Sequence, residues 1–168
     1  LRSGDVYPGV TGADHYSYKN IYSIDWGSAS WSLKSSGINT SHHPFFVSMS
    51  KNNISVAYTG GGSDEGVPIV YKTTNGGANW ISVLITANNQ NIFTGWSGHG
   101  GDRGWSYGEY ALGFQCSPAD VNKVIITDLG FPHITTDGGI TWKQIYVNPL
   151  DQNPINAPTP LGKNYRTT

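Results

Sequence analysis

The apolar positions of this chain fall in short runs rich in β-branched and aromatic residues, punctuated by clusters of Gly, Asn and Asp. No window sustains a helical period, and long Ala/Leu/Glu/Lys runs are absent. The pattern predicts an all-β chain with strands near 46–50, 54–59, 69–73, 80–85, 111–116, 123–128, 132–136 and 141–146. It predicts no helix longer than two turns.

Two of the predicted hairpins carry one motif. Thr73-Thr74-Asn75-Gly76-Gly77-Ala78-Asn79-Trp80 and Thr135-Thr136-Asp137-Gly138-Gly139-Ile140-Thr141-Trp142 stand 62 residues apart, 135 minus 73. A short amide or carboxylate before two glycines suits a tight turn, because Gly supplies the positive φ and Asn or Asp bonds the backbone ahead of it. The Thr hydroxyl adds a local bond to the backbone. The Trp returns on the next strand and covers the turn. Upstream of each copy, the runs 46–58 and 117–127 read as strand, polar turn, strand. Each unit therefore predicts four short antiparallel strands, the pattern of a propeller blade, and two units in one frame predict a repeat architecture.

The motif resembles the Asp-box, Ser/Thr-x-Asp-x-Gly-x-x-Trp/Phe, of the BNR repeat. That repeat occurs in the β-propellers of sialidases, xyloglucan-cleaving glycosidases, sortilin and photosystem assembly factors. The second copy matches at Thr135, Asp137, Gly139 and Trp142; the first matches at Thr73, Gly77 and Trp80, with Asn75 in the acid position. A degenerate third copy is Ser23-Ile24-Asp25-Trp26-Gly27-Ser28-Ala29-Ser30-Trp31, in which the Trp falls one residue late. The resemblance implies a structural turn on the outer edge of a blade and no catalytic role for Asn75 or Asp137. It divides the chain into a partial blade 1–34, blades 35–85 and 86–149, and the start of a further blade or an extension at 150–168. Closed propellers typically have four to eight blades. The expectation is a piece of a larger propeller whose remaining blades come from the same protein or another chain; the alternative is a ring of copies.

Composition agrees with the β pattern. Gly is 22 of 168 residues, aromatics are 12 %, and charged residues are 12 %, about half the usual share of a soluble domain. The net charge is −1 and the three arginines, Arg2, Arg103 and Arg166, are scattered, so a nucleic-acid partner is not expected. No apolar run approaches the ~20 residues of a membrane helix. The single Cys116 excludes an internal disulfide and reads as a buried strand thiol. Asn39-Thr40-Ser41 and Asn53-Ile54-Ser55 have the form of glycosylation sequons, a number that chance alone supplies in so Asn-rich a chain. Low charge with abundant Gly, Asn, Ser, Thr and aromatics leans towards an extracellular or cell-surface protein.

The densest candidate chemistry lies in the glycine-rich stretch 94–110, between the two full blades. Trp96, Trp105 and Tyr107 can stack on sugar rings, while Asp102 and Arg103 can bond hydroxyls. These five are the expected ligand contacts for a glycan or a protein; the competing expectation is that the Trp side chains only pack between blades. Asp102 and Glu109 form the one close acidic pair in an aromatic loop, and glycosidases generally need two carboxyl groups. Sialidases use an arginine triad and a Tyr nucleophile, and no such arginine set is recognisable here. Two functions follow as expectations. The favoured one is a binding or scaffold module. The alternative is a glycoside hydrolase of sialidase or xyloglucanase type, its catalytic site shared with blades outside this chain. No metal and no cofactor are expected. His42-His43 point apart on a strand, Asp14-His15 is as weak a pair, and Asp64-Glu65 sits in a glycine-rich stretch, 60–66, that reads as a hairpin tip outside any EF-hand pattern.

Overall fold

The computed structural model describes residues 2–5, 18–63, 68–84, 113–127 and 132–144. They form three antiparallel sheets, and no helix occurs among the described residues. The first sheet contains β1 (Arg2–Asp5), β2 (Tyr18–Ser23) and β3 (Ser32–Leu33), in that order. The second is a meander of β4 (His42–Met49), β5 (Ala57–Ser63), β6 (Pro68–Thr73) and β7 (Ile81–Ser82). The third repeats that order with β8 (Gly113–Ser117), β9 (Asp120–Thr127), β10 (Pro132–Thr135) and β11 (Lys143–Gln144).

The second sheet lies between the other two. Alternation along β5 decides which side chain faces which neighbour. Tyr58 joins a core with Val56, Val70, Val83, Cys116, Val124, Ile126 and Trp142, which faces the third sheet. Ala57 joins Ile21, Ile69, Tyr71 and Trp80, which faces the first. Both faces of the second sheet's two central strands, β5 and β6, are therefore largely buried, and these strands read as apolar or small at most positions. That two-sided burial explains why their alternation of polar and apolar residues is weak in the sequence.

Three details differ from the sequence expectation. β4 begins at His42, four residues ahead of the predicted 46. Pro44 is accommodated because β4 is an edge strand of its sheet and the register shifts between Pro44 and Phe46. β5 starts at Ala57 and runs through Gly60-Gly61-Gly62, a stretch expected to form a hairpin tip. These glycines permit close approach: a Cβ on Gly60 would lie 2.5 Å from the Phe114 ring of the third sheet, and one on Gly61 would collide with the His43 carbonyl. The fourth strands β7 and β11 shrink to two residues each.

Candidate functional site

The two Thr-Thr-(Asn/Asp)-Gly-Gly turns share one core hydrogen-bond pattern, to which Asp137 adds a bond from the Thr141 hydroxyl. Thr73 Oγ1 donates to Asn75 Oδ1 at 2.8 Å, and Thr135 Oγ1 donates to Asp137 Oδ1 at 2.8 Å. Each Thr hydroxyl in turn accepts the backbone N–H of the second Gly, from Gly77 at 3.0 Å and from Gly139 at 2.9 Å. Asn75 Oδ1 accepts the Asn79 N–H at 3.0 Å, and Asp137 Oδ1 accepts the Thr141 N–H at 2.9 Å. The first Gly of each turn donates backward, Gly76 to the Ser55 carbonyl and Gly138 to the Asn122 carbonyl, both at 2.9 Å. This last bond ties each turn to the start of the second strand of its own sheet, at Ser55 just ahead of β5 and at Asn122 within β9.

The glycines are fixed by conformation. Gly77 and Gly139 hold φ of 86° and 89°, a region that L side chains rarely adopt. At Gly139 space is limiting as well, since a Cβ there would lie 2.8 Å from Val83 Cβ of the neighbouring sheet.

Beyond the turn, each Trp enters the sheet that precedes its own. Trp80 is 1 % exposed and its indole N–H donates to the Lys34 carbonyl at 2.6 Å, just past β3. Trp142 is 2 % exposed and donates to the Val83 carbonyl at 2.8 Å, just past β7. The two acceptors occupy the same place. The Lys34 N–H donates to the Ile21 carbonyl and the Val83 N–H to the Val70 carbonyl, so each closes its own hairpin.

The third, degenerate motif forms the β2–β3 hairpin with altered chemistry. Ser23 pairs with Ser32 as Lys72 pairs with Ile81, which places Trp31 at the position of Trp80 and Ile24 at that of Thr73. The Trp is thus in register, and the Ser and Asp come one residue early. Trp26 stands where Asn75 does in the second sheet and is fully exposed, while Trp31 is 49 % exposed.

The seam between the second and third sheets carries further polar bonds that the sequence did not signal. Ser48 Oγ accepts the Cys116 N–H at 2.9 Å, joining β4 to β8. The Pro118 carbonyl accepts the Lys51 N–H and the Ser50 hydroxyl, and the Ala119 carbonyl accepts Asn52 Nδ2. Tyr58 donates its hydroxyl to the Val121 carbonyl at 2.7 Å, and Lys72 Nζ, over the Tyr58 ring, donates to the Gly138 carbonyl at 3.0 Å. No sequence motif marks these residues, because Ser, Asn and Lys in turns are ordinary.

Electrostatics around the seam favour structure over chemistry. Burial first, then the nearby Asp120, pushes the Cys116 thiol up, so it stays protonated and poorly nucleophilic. Burial raises Tyr58 far above an ordinary phenol, with Cys116, Asp120 and Asp137 adding to it. At Asp137 burial works to raise the carboxyl, but bonds from the Thr141 hydroxyl and N–H, from Thr135 and from the Ile140 N–H outweigh it and hold it below the usual carboxylate range. His42 Nδ1 lies 2.7 Å from the Tyr71 hydroxyl, a pairing that anchors the start of β4. No group of three or more His, Cys, Asp or Glu side chains with metal-ligand geometry occurs among the described residues.

The expected ligand contacts Trp96, Asp102, Arg103, Trp105 and Tyr107, the acid candidate Glu109, and the pairs Asp14-His15 and Asp64-Glu65 lie outside the described residues. No helix among the described residues is long and apolar enough to cross a membrane. No protein-family model matches the chain, and no curated protein matches it.

Proposed function

We propose that this chain is part of an Asp-box β-propeller that serves as a glycan- or protein-binding scaffold outside the cell or at its surface. One observation carries the architectural half: the same turn, with the same bonds, recurs at Asn75 and Asp137, and each turn sends its Trp into the preceding sheet. A turn saturated by its own backbone has no group left to do chemistry, which supports a structural role for both boxes. A rigid β scaffold of this kind usually carries its recognition on connecting loops. The glycine-rich stretch 94–110, which joins the second sheet to the third in sequence, is the connecting segment whose sequence supplies stacking and hydrogen-bonding groups.

The experiment is a glycan array and a surface-protein pull-down with the 168-residue chain, followed by Trp105→Ala on any ligand found. The expected result is a loss of more than about tenfold in affinity, the scale of an aromatic anchor. Unchanged binding would move the site elsewhere. Turnover of a polysaccharide that Asp102→Asn or Glu109→Gln abolishes, with binding retained, would replace the scaffold reading by the hydrolase one.

A further inference from the structure

The first sheet exposes apolar residues on the face that the other two sheets bury against a neighbouring sheet. Leu33 is 61 % exposed and lies opposite Tyr22, whose neighbour Ile21 is fully buried against the second sheet. Alternation therefore turns Leu33 and Tyr22 away from the second sheet. Ile24 and Trp31 are exposed beside them. The corresponding positions of the second sheet are Tyr71 for Tyr22, Thr73 for Ile24 and Trp80 for Trp31, and all three are buried, against the first sheet. The third sheet repeats the arrangement with His133, Thr135 and Trp142, buried against the second. In both cases the cover is the far face of a sheet of this same chain. Between Ser23 and Leu33 the one carboxylate is Asp25, and Arg2 of β1 stands opposite Tyr22 in the register, so this face carries one charge of each sign at its border.

We propose that the outer face of the first sheet docks the far face of the third sheet of a second copy, continuing the stacking already present between the sheets. On the third sheet that far face carries Ile125 and Ile134, cross-strand neighbours that alternate with the buried Val124, Ile126 and His133. They occupy the places that Tyr58 and Lys72 hold in the second sheet, where they meet the third. The contact is heterologous, first sheet to third, and such contacts propagate into rings or filaments. This inference rests on the stacked-sheet part of the functional reading and not on any ligand, so a failed glycan screen leaves it intact.

Sedimentation velocity of the 168-residue chain across a concentration series reads it out. The expected result is reversible association, accompanied by a blue shift of Trp emission as Trp31 leaves water. Leu33→Asp should weaken association at least tenfold. Trp26→Ala, at the hairpin tip, should not. Ile125→Glu should also block self-association, with Thr127→Arg on the same face as the substitute if that variant loses its β-sheet circular dichroism. Mixing Leu33→Asp with Ile125→Glu should give a dimer and nothing larger, because each contributes the one face the other lacks. A chain that stays monomeric at about 100 μM, association indifferent to Leu33→Asp, or a mixture that stays monomeric would each overturn the proposal. So would burial of this face by a different polypeptide that displaces the second copy.

Discussion

The indole N–H of Trp142 donates to the Val83 carbonyl across 59 residues of sequence. Val83 also underlies Gly139, whose missing Cβ leaves room for the Val83 side chain. One residue of the second sheet thus receives both the tip and the return of a turn in the third. Trp142→Phe keeps most of the ring and removes the donor. It should cost about 1 kcal/mol, the net worth of a buried hydrogen bond, and Trp142→Ala about 3–5 kcal/mol as a large-to-small core change. Urea unfolding of the two variants checks the order.

Asp137 and Asn75 hold the same turn with different chemistry, and pH separates them. Asp137 titrates below the usual carboxylate range when folded, so its contribution is present above the unfolded pKa of about 3.9 and is lost as pH falls through the lower, folded value. Asp137→Asn should therefore be less stable than the parent at pH 7, with the gap closing below about pH 4. Asn75→Asp should add acid sensitivity to the second sheet. Denaturant midpoints at pH 7 and pH 3 test both, and a gap that stays constant with pH would contradict the assignment.

Gly60 faces the Phe114 ring at a distance no side chain tolerates. Gly60→Ala should cost about 1–3 kcal/mol as an overpacked contact. Phe114→Leu should recover part of that loss when combined with it, a coupling that a double-mutant cycle measures. Simple additivity would mean that the two sheets do not meet at this point.

Thr59 is buried between the first and second sheets, and its hydroxyl has no hydrogen-bond partner among the described residues. A buried, unsatisfied hydroxyl costs about 1–3 kcal/mol. Thr59→Val keeps the branched shape and removes the cost, so it should raise the melting temperature. A clear drop would show that the hydroxyl is bonded in solution.

The β class and most strand positions were legible because strand signals are local: β-branched and aromatic runs, with Gly at the turns. The turns at Asn75 and Asp137 were legible for the same reason, since a Thr, a short acid or amide and a positive-φ Gly close their bonds within five residues. What failed was anything set by a distant partner. Gly60-Gly61-Gly62 looked like a loop, and it is a strand because Phe114 and the His43 carbonyl press on it. The Ser48 and Ser50 bonds to the third sheet join residues 68 apart and leave no trace in a local window. The degenerate motif gave the right hairpin in the wrong frame, because its Trp31 is placed by cross-strand pairing and its Ser23 is not the turn hydroxyl. The ligand loop was read from composition alone, and nothing among the described residues touches that reading.

Cys116 supplies the chain with its own clock. It is the sole thiol in 168 residues, it is fully enclosed, and its backbone N–H is held by Ser48 of the adjoining sheet. A thiol reagent in solution reacts only when β8 parts from β4. The labelling rate then counts separations of those two strands, with no cysteine to engineer and no competing thiol to subtract. How often the seam opens becomes a number that can be followed as temperature, acid or a bound partner is varied.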